Sequence, residues 1–193
     1  RHKVTAQPSG VVTITGGKLT TYREMAADTV DALLRHLGTP DGVSRRSKTK
    51  KLRLRGAAGY EELAATEDPT VRHLADRYGG EATAVLALID ADPSLGEPLV
   101  AGLPYVRAEA VYAATYEMAR SVDDVLSRRT RARLLARDAS AAAADDVAAL
   151  IAPVLGLSDE AAAAQAAAYR DAVAAEREAA GLPPTPLDHV LDA

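Results

Sequence analysis

The sequence has no cysteine, no tryptophan and no phenylalanine, and only 2 methionines among 193 residues. Without cysteine, a disulfide framework and any thiolate-held metal site are excluded. The 4 histidines are scattered along the chain and do not form a dense zinc site. Tyrosine supplies all the aromatic residues, 7 in number, so any core must be built mainly from aliphatic side chains. No run approaches the length of apolar sequence that a bilayer-crossing helix needs. The first residues, Arg1-His2-Lys3, lack both the pattern of a secretory signal and an initiator methionine. The expectation is that the first residue was processed off or that the chain is a piece of a longer one.

What the sequence does have is alanine, 42 of it, within a hydrophobic content of 48%. Alanine is the best helix former and a poor strand residue, so the fold expected is mainly α, with closely packed backbones. The length suits one domain, or one domain with a satellite. Charge is unevenly placed. Residues 1–60 carry 12 Lys/Arg against 4 Asp/Glu, a net of +8, whereas residues 61–193 carry 11 against 23, a net of -12. Much of the basic excess lies in Arg45, Arg46, Lys48, Lys50, Lys51, Arg53 and Arg55. Such a run could meet nucleic acid or an anionic membrane, or serve as a solvated connector paired with the acidic second half. No aromatic residue interleaves it, which argues against base stacking and for no nucleic-acid partner.

Along the chain, Pro8-Ser9-Gly10 reads as a turn. Val11-Val12-Thr13-Ile14-Thr15 reads as a short strand, expected to be buried on both faces. One strand cannot satisfy its own edges. Its partners must lie outside the chain, in the first few residues, or weakly around Lys51–Arg55. Gly16-Gly17 ends the strand, and Thr20 or Thr21 caps a helix running to Leu37 with Gly38 as its stop. Residues 39–59 read as a basic linker. Residues 60–180 read as a helical domain, with starts at Asp68-Pro69 and near Glu81, a loop over 92–104, and a helix from Val106 to Ala119. Further starts fall at Ser121 and Ser158, and Pro153 breaks or bounds a helix. Residues 181–193 read as a Pro-containing tail.

Chemistry concentrates at Thr15-Gly16-Gly17-Lys18-Leu19-Thr20-Thr21-Tyr22. A strand runs through two glycines into a helix start, so backbone can approach a ligand closely and free N–H groups favour an anionic or electron-rich partner. Lys18 adds a full positive charge. The spacing is neither a P-loop nor a GxGxxG fingerprint. Two readings stay open on the residues alone: a ligand-contacting crossover at the carboxyl end of a strand, or a tight turn with a solvated lysine. Glu109, Glu117, Arg120, Asp124, Arg128 and Arg129 read as an ion-pair network between adjacent helices rather than a substrate site. Tyr112 and Tyr116 share a helix face, and Asp145-Asp146 reads as a solvated turn.

The stretch Gly16-Gly17-Lys18-Leu19-Thr20-Thr21-Tyr22-Arg23, with Pro-Ser-Gly-Val-Val-Thr-Ile before it, resembles the FAD-dependent glycerol-3-phosphate dehydrogenases. So do Leu103-Pro104-Tyr105, Ala108-Glu109, Tyr112, Glu117-Met118-Ala119 and Asp123-Asp124-Val125-Leu126-Ser127-Arg128-Arg129-Thr130-Arg131. The resemblance covers most of residues 1–140. It implies that residues 1–38 are the last strand and helix of an FAD-binding α/β domain whose remainder lies upstream. It implies that Gly17, Lys18, Leu19 and Thr20 lie beside the flavin, with Lys18 near the substrate as well. In a segment like Ser-Arg-x-His, His2 matches the last position. The family's arginine would then precede the chain, and Arg1 is a substrate-binding candidate only in another register. The implied reaction is oxidation of sn-glycerol 3-phosphate to dihydroxyacetone phosphate with hydride transfer to FAD, the isolated chain being inactive. Implied partners are the upstream FAD domain, a respiratory quinone and a second copy of the chain. The implied location is cytoplasmic, extending to peripheral contact with the inner face of the plasma membrane. The alternative is a helical interaction or dimerisation module without catalysis.

Overall fold

The computed structural model describes residues 1–41 and 47–183, so Arg45 and Arg46 of the basic run, and the tail from 184 onward, lie outside the described residues. The chain divides into two compact units, Arg1–Leu54 and Arg55–Ala193. The described part is mainly helical, with one small sheet, as the alanine content predicts.

The first unit is a hairpin covered by a helix. Strand β1 (His2–Ala6) pairs antiparallel with β2 (Val12–Gly16), in a register running from His2 opposite Gly16 to Ala6 opposite Val12. The turn falls at Pro8-Ser9-Gly10: the Gly10 N–H donates to the Gln7 carbonyl at 3.0 Å, and the Gln7 N–H to the Val11 carbonyl at 2.9 Å. The partner of β2 is therefore the first residues of the chain. Lys51–Arg55 form no strand; they lie in a turn and irregular backbone, with the Lys51 N–H bonded to the Lys48 carbonyl at 3.1 Å.

The expectation that β2 is buried on both faces is corrected. Val12 and Ile14 are half-buried while Thr13 and Thr15 are exposed, because one helix covers only one side of a hairpin. That helix, α1 (Tyr22–Leu37), packs on both strands and stops at Gly38. Its apolar positions split: Met25, Thr29 and Leu34 are half-buried, whereas Tyr22, Val30 and Leu37 are exposed. Among the described residues of this unit, none is fully buried.

The second unit is all helical: α2 (Tyr60–Ala64), α3 (Pro69–Tyr78), α4 (Ala82–Ala91), α5 (Arg107–Tyr116), α6 (Ala132–Leu135), α7 (Arg137–Ala142), α8 (Ala144–Leu155) and α9 (Asp159–Ala179). The Asp68 carboxylate caps α3 by accepting the Thr70 and Val71 N–H groups at 2.8 and 3.2 Å, with Pro69 in the first turn. Ser158 caps α9, accepting the Ala161 N–H at 3.2 Å. Pro153 sits inside the last turn of α8, which ends at Gly156.

Two ends were not visible in the sequence. Helix α5 stops at Tyr116 rather than Ala119, because Met118 takes φ 59° and the Ala119 N–H turns back to the Ala113 carbonyl at 3.0 Å. After the Ser121–Asp124 capping box, Asp124–Arg129 winds as a π-helix, its end marked by the Thr130 N–H on the Val125 carbonyl at 2.9 Å.

Alanine explains how this unit packs. Ala144, Ala148, Ala162 and Ala166 are buried where α8 and α9 meet, with Val147, Ile151, Tyr169 and Val173 filling the space between. A second cluster joins α3, α4 and α5 through Leu74, Ala82, Val85, Ala108 and Tyr112. The segment ahead of α2 is held by backbone contact: the Gly80 N–H donates to the Gly56 carbonyl at 2.7 Å, and a Cβ on Gly80 would fall 1.7 Å from the Ala58 oxygen. Among the described residues no helix is long and apolar enough to cross a membrane.

Candidate functional site

The site grows from the end of β2. Gly16 and Gly17 take φ +75° and +88°, the left-handed region that other residues enter only at a cost. They are also crowded: a Cβ on Gly16 would lie 2.9 Å from the Arg1 carbonyl oxygen, and one on Gly17 only 2.4 Å from the Met25 sulfur. The glycine pair thus lets the chain turn tightly over α1 and against the start of β1. Lys18 follows in extended conformation (φ −135°, ψ 155°), and Leu19–Thr21 form a single 3-10 turn leading into α1.

Thr21 is the residue whose task the sequence misplaces. Its hydroxyl makes no cap on α1. Instead Thr21 Oγ1 accepts the Lys18 N–H at 3.2 Å and donates to the Lys18 carbonyl at 3.0 Å, which also receives the Thr21 N–H at 2.9 Å. The Lys18 peptide groups are turned inward and occupied. The Leu19 and Thr20 N–H groups precede the first bond of the turn, the position where a helical start leaves donors free. Gly17, Lys18, Leu19 and Thr20 are all exposed, Leu19 to 89%. Among the described residues Lys18 forms no salt bridge.

The hairpin register brings the other candidate to the same place. Arg1 immediately precedes the His2–Gly16 pair, so it stands at the end of the sheet where Gly17 and Lys18 emerge. His2 ties that end to α1 through Asp28, 2.7 Å from Nε2 to Oδ2. The register therefore brings Arg1, Gly17, Lys18, Leu19 and Thr20 to one end of the hairpin, all of them exposed. A groove of about 720 Å³ lies elsewhere, between α1 and residues 47–54, lined by Tyr22, Val30, Leu34, Leu52 and Leu54 among others; none of these five candidates borders it.

The acidic and basic set of the second unit is structural, but its pairing differs from the expected one. Glu109 is fully buried and reaches α3, not its neighbours in sequence: Oε1 lies 2.7 Å from Arg77 Nε and accepts the Tyr78 hydroxyl at 3.1 Å. Its Oε2 lies 3.2 Å from His73 Nε2 and accepts the Val106 N–H at 2.8 Å. Burial, with the Glu109 carboxylate adding to it, pushes the Tyr78 phenol well above its ordinary range. Arg128 pairs with Asp123 and Asp124, and Arg129 donates to the Glu117 carbonyl. Burial raises the Glu117 carboxyl, against the pull of Arg129 and Arg77. Tyr112 and Tyr116 do share a face, with ring centroids 5.0 Å apart. Asp145 and Asp146 are not a solvated turn: they open α8 and pair with Arg170 at 2.6 Å and Arg107 at 2.5 Å. The Lys48, Lys50, Lys51, Arg53 and Arg55 side chains are exposed, and Arg55 pairs with Glu81 at 2.6 Å.

Comparison with known proteins gives a consistent picture. Residues 47–162 match the family described as the C-terminal domain of alpha-glycerophosphate oxidase. The chain is 40% identical over 165 residues to glycerol-3-phosphate dehydrogenase 2 of Mycobacterium tuberculosis, covering 80% of this chain and 28% of that protein. It is 40% identical over 185 residues to the glycerol-3-phosphate dehydrogenase of Mycobacterium leprae, covering 91% of this chain and 31% of that protein. A mitochondrial glycerol-3-phosphate dehydrogenase of Arabidopsis thaliana is 34% identical over 173 residues, or 78% of this chain and 27% of that protein. The chain thus spans less than a third of the length of these relatives. With a helical unit that matches the family's C-terminal domain, and a preceding stretch that these alignments take in, the chain belongs to the glycerol-3-phosphate dehydrogenase and oxidase family.

Proposed function

We propose that the chain is the C-terminal part of a flavoenzyme that oxidises sn-glycerol 3-phosphate to dihydroxyacetone phosphate, with residues 1–38 completing an FAD-binding domain and residues 60–180 forming the helical domain that follows it in sequence. The observation that carries this reading is the turn after β2: an exposed lysine that forms no salt bridge among the described residues, backbone donors at a helical start and a large exposed leucine, set in place by two left-handed glycines. That donor set fits FAD. Ammonium and N–H groups suit the edge of a flavin ring where electron density gathers on reduction, and an exposed apolar side chain suits its flat face. The lack of any fully buried residue among those described in the first unit also supports a larger domain, since a hairpin and one helix do not enclose a core.

In this reading FAD supplies the hydride-accepting chemistry. Leu19 and Thr20 present their N–H groups to it, and Gly17 keeps the backbone close. Lys18 holds its ammonium where it serves both the ring edge and the substrate phosphate, and Arg1, at the same end of the sheet, adds to the positive field that draws the dianionic substrate in. The partners are the FAD-binding part upstream and a respiratory quinone that takes the electrons onward. The isolated chain, without the part that grips the dinucleotide, neither retains FAD nor turns over. The test is anaerobic addition of sn-glycerol 3-phosphate to the enzyme that carries this segment with FAD bound. Bleaching of the oxidised-flavin absorbance, with one dihydroxyacetone phosphate formed per flavin, is expected. An unchanged spectrum at saturating substrate would refute the reading.

A further inference from the structure

Thr21 makes no cap on α1 itself but closes a capping box on the 3-10 turn that leads into it, and its hydroxyl spends both its hydrogen-bonding roles on one residue, Lys18. We infer that Thr21 is a positioning residue for Lys18: its hydroxyl clamps the Lys18 peptide on both sides, so that the ammonium leaves the turn in one direction. This rests on the role proposed above for Lys18.

Three observations carry it. Lys18 follows two glycines in the left-handed region, which carry no side chain to pack against its own. Among the described residues no salt bridge holds its ammonium. The Thr21 clamp is what restricts it from the other side: an accepted bond at 3.2 Å, a donated bond at 3.0 Å and the Thr21 N–H at 2.9 Å close a small ring around Lys18 in its extended conformation. The clamp also consumes the Lys18 N–H, so the donors left for a ligand are those of Leu19 and Thr20. Met25 packs under the same turn, where a Cβ on Gly17 would lie 2.4 Å from its sulfur. Misplacing a catalytic group by about 1 Å can cost on the order of 100-fold in rate, so a clamp of this kind has a measurable kinetic effect.

The test is a double-mutant cycle in the FAD-loaded enzyme that carries this segment. Thr21→Val removes the hydroxyl at constant shape, Thr21→Ala removes it without added bulk, and Thr21→Ser keeps it. The expected result is a fall of about tenfold in kcat/KM for sn-glycerol 3-phosphate with Val and Ala, FAD content unchanged, and recovery to within about twofold with Ser. In a Lys18→Met background, Thr21→Val should then change kcat/KM by less than about twofold, because the residue acts through Lys18. A helix-stabilising role alone would give independent, multiplicative effects in the two backgrounds. That outcome, or a Ser variant as impaired as Val, overturns the inference. If Lys18→Met is impaired while Thr21→Val and Thr21→Ala match the parent, the clamp is wrong and the Lys18 reading stands. If Lys18→Met itself matches the parent, the Lys18 reading is wrong and the inference falls with it.

Discussion

Glu109 Oε1 lies 2.7 Å from Arg77 Nε, with the carboxylate fully buried at the start of α5 and the guanidinium on α3. The pair joins two helices about thirty residues apart in sequence, and the Val106 N–H and Tyr78 hydroxyl take up the remaining lone pairs of the carboxylate. The Arg77 guanidinium also lies over the Tyr78 and Tyr105 rings and donates to the Arg129 carbonyl at 2.7 Å. One carboxylate therefore anchors α3, α5 and the end of the π-helix.

Removing that charge leaves Arg77 without its counter-ion in a water-poor site. Glu109→Gln should lower the unfolding free energy by about 3–5 kcal/mol, the range found when one partner of a buried ion pair is deleted. Urea unfolding followed by far-ultraviolet circular dichroism measures it. A loss under about 1 kcal/mol would mean that the pair is replaceable by an amide.

The backbone contact at Gly80 leaves no room for a side chain. Its Cβ would stand 1.7 Å from the Ala58 carbonyl oxygen, and the neighbouring strand of loop is itself held by the Gly56 carbonyl. Gly80→Ala should displace residues 56–59 and cost on the order of 2 kcal/mol or more, as overpacking does. Gly156→Ala, at φ 66° and ψ 35° with nothing within 4 Å of its Cβ, should cost only about 1–2 kcal/mol from its left-handed backbone. Equal thermal shifts for the two variants would contradict the packing described for Gly80.

The Asp123 carboxyl is held below its ordinary range. Burial opposes this, but the Ser127 hydroxyl and the Arg128 and Arg133 guanidinium groups outweigh it. Asp124 is lowered in the same way, with burial outweighed by the Arg120 N–H, the Ser121 hydroxyl and Arg128. A carboxylate depressed in the folded state adds stability above its unfolded pKa of about 4, and that stability is lost as pH falls through the folded value. Below pH about 4, Tm should fall steeply in the parent and less steeply in Asp123→Asn. Parallel Tm profiles for the two proteins would show that the Asp123 pairs contribute nothing.

Local signals were legible in the sequence where the physics is local. Pro8-Ser9-Gly10, Asp68-Pro69, Ser121 and Ser158 each announce a turn or cap that the structure forms, because the bonds involved span only two or three residues. The partner of β2 is not legible in the sequence because His2–Ala6 is short and largely polar, with little strand character until it is paired. The π-helix at Asp124–Arg129 follows from a single carbonyl, that of Val125, taking both the N–H and the hydroxyl of Thr130, which no periodicity encodes. The pairing of Glu109 is not legible in its sequence neighbourhood because its partners, His73, Arg77 and Tyr78, lie more than thirty residues away. At the turn after β2, the glycine pair and Lys18 stood out by composition, whereas Thr21 looked like an ordinary helix cap. Only the distances to the Lys18 peptide reveal its other task.

The account turns on where the Lys18 ammonium acts, and kcat/KM for sn-glycerol 3-phosphate in Lys18→Met tests it most directly. The measurement is made on the enzyme carrying this segment, with FAD content verified. Methionine removes only the ammonium end of a side chain that is exposed and lies outside the helix, so the loss should appear in turnover rather than in folding. One preorganised charge-stabilising donor is worth roughly 2–4 kcal/mol, so kcat/KM should fall about 30- to 1,000-fold with FAD still bound. A value within about threefold of the parent would place the lysine in solvent and contradict the account.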